Sequence, residues 1–119
     1  MSKSALREAV RSLIVADPDI QPSAAGHTGY IERYRTHCGA NIGLETNGKR
    51  HQNLYVEGAR VDLTIVGDIP HQRYLATDFD RAKPNSNLFH AEAFGQADVI
   101  RFKLSEPQQA QRVLAELKR

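Results

Sequence analysis

Residues 40–66 read ANIGLETNGKRHQNLYVEGARVDLTIV, from Ala40 to Val66. This stretch decides the fold. Thr46-Asn47-Gly48-Lys49 is a turn signal, because Asn and Gly tolerate the positive φ that short hairpin loops require. Two registers compete. A two-residue loop at Asn47-Gly48 sets Leu44 opposite His51 and Ile42 opposite Asn53, which mixes apolar and polar groups on each face. A three-residue loop, Thr46 to Gly48 with a bulge at Gly48, sets Leu44 opposite Arg50, Ile42 opposite Gln52 and Ala40 opposite Leu54. One face then carries Ile42, Leu44, Leu54 and Val56. The other carries Asn41, Glu45, Lys49, His51, Asn53 and Tyr55. A one-residue slip flips every side chain, so burial selects the second register.

Beyond Glu57-Gly58, Val61, Leu63 and Ile65 alternate with Arg60, Asp62 and Thr64. Period-2 alternation marks a half-buried strand over Arg60–Val66. Three strands in succession predict an antiparallel meander. Tyr30–His37 adds a further strand on its β-rich composition, although Tyr30 and Tyr34 also suit a helix. Arg73–Phe79 reads as a strand with Leu75 and Phe79 inward and Tyr74 and Asp78 outward. Asp98–Leu104 is a strand with Ile100, Phe102 and Leu104 inward. Leu88–Phe94 suits one or two helical turns.

Two helices frame these strands. Over residues 3–16, Leu6, Val10, Leu13 and Ile14 fall at helical spacing. Ser2 or Ser4 caps its start, and Asp17-Pro18 ends it. Near the C-terminus Ser105 caps a helix with Glu106 and Pro107 in its first turn. Its apolar stripe is Ala110, Val113, Leu114 and Leu117. The expected fold is α+β: one domain over residues 1–119, a mostly antiparallel four- to five-stranded sheet, both helices packed on one face. The other face is then open or covered by a partner.

Composition bounds the function classes. The chain has 119 residues, 40% apolar and 25% charged, as in an ordinary globular protein. Its net charge of +2 permits a polyanionic partner without demanding one. The single cysteine, Cys38, excludes an internal disulfide, and Cys38 beside His37 is not a zinc pattern. No apolar run reaches signal-peptide or membrane-spanning length, so a cytoplasmic protein without membrane contact is the expectation. The glycines fit neither dinucleotide nor Walker spacing, and Gly-x-Ser-x-Gly and His-Glu-x-x-His are absent.

Three constellations carry chemistry. The first is the polar sheet face: Asn41, Lys49, His51, Asn53, Tyr55, Arg101 and Lys103, with Arg33 and Arg35; Arg50 is a further basic candidate beside it. Cations neutralise phosphates, amides read base edges and tyrosine stacks on bases, so nucleic acid is the leading partner. A plain solvated face is the bland alternative, and Glu45, Asp62 and Asp78 dilute its charge. The second is Asp62, Asp78 and Asp80 with Lys83, which could hold Mg²⁺ in a nuclease if Asp62 stands on a neighbouring strand. The third is His51 as the acid–base group of a metal-free ribonuclease, with Arg35 or Lys49 clamping the phosphate. No cofactor is expected outside the Mg²⁺ case. The donors of the loop Arg81–Asn87 could bind phosphate or a partner protein, and a second function class is a protein-interaction module or homodimer, meeting its partner at a sheet edge or through that loop. Whether the chain is an enzyme stays open.

Overall fold

A computed structural model describes residues 2–24, 26–47, 51–78 and 97–119. Leu6, Val10 and Ile14 recur every four residues and form the buried stripe of helix α1, Lys3–Ala16. The Ser2 hydroxyl accepts the Ala5 amide at 3.1 Å and caps its start. Asp17, held extended by Pro18, ends it. The chain then runs through β1 (Ile20–Pro22), β2 (Ile31–Thr36), β3 (Asn41–Glu45) and β4 (Gln52–Glu57). A 3-10 turn (Gly58–Arg60), the one-turn helix α2 (Leu63–Val66), β5 (His71–Tyr74), β6 (Val99–Leu104) and α3 (Pro107–Leu117) follow.

The fold is α+β, as expected, and the described residues form six strands rather than four to five. Their order is β1-β2-β3-β4-β6-β5, and every neighbouring pair is antiparallel. The first four form a meander. The last strand, β6, inserts between β4 and β5.

Both helices cover one face. There Leu54 pairs with Leu44 and Phe102, and Val56 with Ile42 and Ile100. These side chains meet Leu6, Val10 and Ile14 of α1 and Val113, Leu114 and Leu117 of α3 in one cluster. Burying each large apolar side chain contributes about 1.5–3 kcal/mol. Two polar links cross the same layer. Arg7 Nε donates to the buried Gln52 Oε1 at 3.0 Å, and Arg11 grips Glu32.

Several expectations are corrected. The apolar set Ile42, Leu44, Leu54, Val56 does share a face, but neither expected hairpin register occurs. Leu44 faces Leu54 and Ile42 faces Val56. A longer connection lets apolar residues meet each other, where the shorter loop would have set them against Arg50 and Gln52. Arg60–Val66 is no strand. Asp62 Oδ1 takes the Thr64 amide at 2.9 Å and its hydroxyl at 2.6 Å, which starts α2 instead. On the expected strand at 73–79, Tyr74 is buried and Leu75 exposed, the reverse of the expectation. At α3 the N-cap is Glu106 rather than Ser105, and the Gln109 side chain completes a capping box by receiving the Ser105 and Glu106 amides. Phe79, Leu88–Phe94 and Arg81–Asn87 lie outside the described residues.

Candidate functional site

The face away from the helices carries the polar residues, yet its centre is buried. Glu45 joins two neighbours there: Asn53 Nδ2 donates to Glu45 Oε2 at 2.7 Å and Tyr55 Oη to Glu45 Oε1 at 3.2 Å. Tyr55 is 1% exposed and Asn53 9%. Arg33 is buried as well and donates through Nε to the Gly26 carbonyl. Polar side chains are tolerated at this depth because they satisfy one another. The face is therefore not open across its middle. Beside Tyr55, Arg101 reaches the Gln72 amide oxygen at 2.8 Å and lies 5.7 Å from the Tyr74 ring centroid. Among the described residues Asn53 Oδ1 and Arg101 Nε are buried without a hydrogen-bond partner.

The other expected site residues are scattered. Lys103 shares this face with Asn53 and is half-buried. Arg35 is exposed at the far end of the face, opposite Asn41 on β3. His51 is exposed just before β4, at the hairpin end of the sheet. The lengths of β3 and β4 separate it from Arg35, so the structure does not bring that histidine and its expected phosphate clamp together. Lys49, Arg50, Asp80 and Lys83 lie outside the described residues. Asp62 is the exposed cap of α2, not a strand residue, and Asp78 closes a 3-10 turn, Ala76–Asp78. Hydrogen bonds from Thr64 hold the Asp62 carboxyl below its ordinary range. Among the described residues no group of three or more His, Cys, Asp or Glu side chains is placed to hold a metal.

A different site emerges at the end of the sheet where β4 finishes and β6 begins. Arg60 from the 3-10 turn, Arg73 from β5 and Arg119 after α3 line an open cleft of about 480 Å³. Glu116, Asp62 and the apolar Val61 and Leu63 complete its walls. Each arginine has a carboxylate nearby, always at long range. Arg60 Nε is 3.4 Å from Glu57, Arg73 Nη2 3.3 Å from Asp98, and Arg119 Nη1 3.4 Å from Glu116. Each of these carboxylates also gives its other oxygen to a different donor. Glu57 Oε1 takes the Asn41 amide at 2.9 Å, Asp98 Oδ1 the Ala76 N–H at 2.8 Å, and Glu116 Oε1 the Asp62 N–H at 3.2 Å. The Ala76 hydrogen bond, with Arg73 a lesser aid, holds Asp98 below the usual carboxylate range and keeps it ionised.

Elsewhere the same chemistry closes fully. Arg11–Glu32, Arg112–Asp68 and Lys118–Asp17 all stand at 2.7 Å. A charge-assisted N–H···O bond normally closes to about 2.7–2.9 Å. The cleft arginines are oriented by carboxylates without being consumed by them, and among the described residues most of their N–H donors remain to meet an anion. Sequence reading missed all three. They come from separate elements, and an isolated arginine in a sequence carries no signal of convergence.

No helix among the described residues is long and apolar enough to cross a membrane. No family model matches the chain, and neither a curated protein nor a solved structure does.

Proposed function

We propose that this protein binds a phosphate-bearing polyanion, with nucleic acid as the class, at the arginine-lined end of its sheet. The observation that carries the reading is the contrast in ion-pair length. Three guanidiniums around one cleft stand 3.3–3.4 Å from their carboxylates, where the Arg11–Glu32, Arg112–Asp68 and Lys118–Asp17 pairs stand at 2.7 Å. Arginine suits this work better than lysine, because its planar fork meets two phosphate oxygens at once. The small net charge of +2 supplies little long-range attraction, so affinity rests on these local contacts. This reading moves the binding surface from the sheet centre, where Asn53 and Tyr55 are buried, to its rim.

The test is fluorescence anisotropy with labelled single-stranded RNA and single- and double-stranded DNA at two salt concentrations. Arg60→Ala, Arg73→Ala and Arg119→Ala each weaken binding and each lower the salt slope by about one. Arg112→Ala, whose fork is spent on Asp68 and the Ile65 carbonyl, leaves binding unchanged. Loss on Arg101→Ala with the cleft variants unaffected would return the site to the sheet face. No affinity for any of the three polymers would end the reading.

A further inference from the structure

A second cleft, of about 400 Å³, opens beside the β1 edge, and its chemistry differs from the first. Gln21, Pro22, Ala24, Arg35 and His37 line it. It has one permanent charge, apolar walls from Pro22 and Ala24, an amide and an imidazole. Gln21 and Arg35 are directly opposite across β1 and β2, so they share a face. The Gln21 side chain is exposed and makes no hydrogen bond among the described residues. An amide offers a donor and an acceptor side by side, the pairing that reads a base edge.

The two clefts share no lining residue, but an arginine of each approaches the same glycine. Arg35 lines the second and Arg60 the first, and both reach over Gly39. Arg35 Nη2 lies 3.4 Å and Arg60 Nη2 3.5 Å from the point where a Gly39 Cβ would stand. Gly39 has φ +95°, a conformation that favours glycine, so the ground between the guanidiniums is bare backbone. Arg35 enters no ion pair among the described residues. Two like charges over one glycine repel until an anion sits between them.

We infer that both clefts form one site for a single-stranded oligonucleotide. One phosphate occupies the Arg60–Arg73–Arg119 cleft, the next sits on the Arg35–Arg60 pair over Gly39, and an unpaired base enters the Gln21–His37 cleft. The inference rests on the polyanion reading and adds the requirement for a base. A duplex keeps its bases stacked inside and has none to offer this cleft.

The test compares four probes on the unmodified protein: inorganic polyphosphate, a short single strand, an abasic strand of the same length, and a duplex. The single strand binds tightest, and the abasic strand binds about fivefold or more weaker, the scale of one stacked base. Gln21→Ala, at an exposed edge position, weakens the base-bearing strand and leaves polyphosphate binding unchanged. Equal affinity for the base-bearing and abasic strands overturns the inference and leaves the arginine cleft standing. A duplex that binds as well as the single strand also overturns it. Failure of all four probes to bind overturns both readings.

Discussion

Arg11 on α1 holds Glu32 on β2 by both carboxylate oxygens, with Nε 2.8 Å from Oε1 and Nη2 2.7 Å from Oε2. Tyr34 Oη donates to the same carboxylate at 2.8 Å, and Glu8 meets Arg11 from the helix side. Burial acts to raise the Glu32 pKa, but the Arg11 and Tyr34 hydrogen bonds outweigh it and hold the group below its ordinary value.

Acid stability follows from that depression. An unfolded glutamate titrates near about pH 4.3. Above that pH the stabilisation from Glu32 is complete, and it is lost as pH falls through the lower folded value. Glu32→Gln is therefore less stable than the wild type at neutral pH, and the two converge in acid. Urea unfolding measured from neutral pH down to pH 3 checks this. A constant gap across that range would show that the pair adds no proton-linked stability.

Gly39→Ala separates backbone strain from ligand contact. A side chain in the left-handed region costs about 1–2 kcal/mol. Gly26, with φ +75° and nothing within 4 Å of its would-be Cβ, carries the same conformational cost. Both alanine variants lose similar stability in urea. Only Gly39→Ala fills the ground between Arg35 and Arg60, so only it weakens oligonucleotide binding. Equal loss of binding in the two variants would assign the effect to strain.

The buried polar cluster predicts a structural role without a binding role. Tyr55→Phe removes the donor 3.2 Å from Glu45 and costs about 1 kcal/mol. Oligonucleotide affinity stays as it was. A fall in affinity at unchanged fold would put the Tyr55 ring in contact with ligand.

Cys38 supplies an internal reporter. It is exposed and stands between His37 of the second cleft and Gly39, and its carbonyl lies 3.4 Å from Arg60 Nη1. Its thiol leans on the Thr36 hydroxyl at 3.1 Å and the Leu117 carbonyl at 3.4 Å, so a strand laid over Gly39 narrows the remaining approach to it. Alkylation by a maleimide slows several-fold with oligonucleotide present and recovers when salt releases it. An unchanged rate under conditions where anisotropy reports saturation would locate the ligand elsewhere.

Much of the fold was legible because periodicity reports burial. The stripe Leu6, Val10, Ile14 gave α1 to the residue, and Ile100, Phe102, Leu104 gave β6. The hairpin's faces were legible while its register was not, since parity follows from alternation but loop length does not. Val61, Leu63 and Ile65 misled because alternation over so few residues also suits a 3-10 turn leading into one helical turn, and Asp62 capping Thr64 decides between them. β1 has three residues and a proline, too little pattern to see. Asn53 and Tyr55 looked exposed because their polarity is visible in sequence and their mutual satisfaction around Glu45 is not. Arg35 was legible as a surface cation. Its meeting with Arg60 depends on a tertiary turn around Gly39.

The insertion of β6 between β4 and β5 has a kinetic consequence. β1 to β4 can zip up between sequence neighbours, but β6 must pair with β4 across residues 58–98, and among the described residues β5 joins the sheet only through β6. Pairings distant along the chain close late, because the intervening loop must first surrender its entropy. Arg73 rides on β5 and Arg119 follows α3, so the cleft they share with Arg60 is assembled last. Polyanion capture thus becomes a readout of completed folding: a chain stalled at the meander holds Arg35 in place and has no cleft beside it.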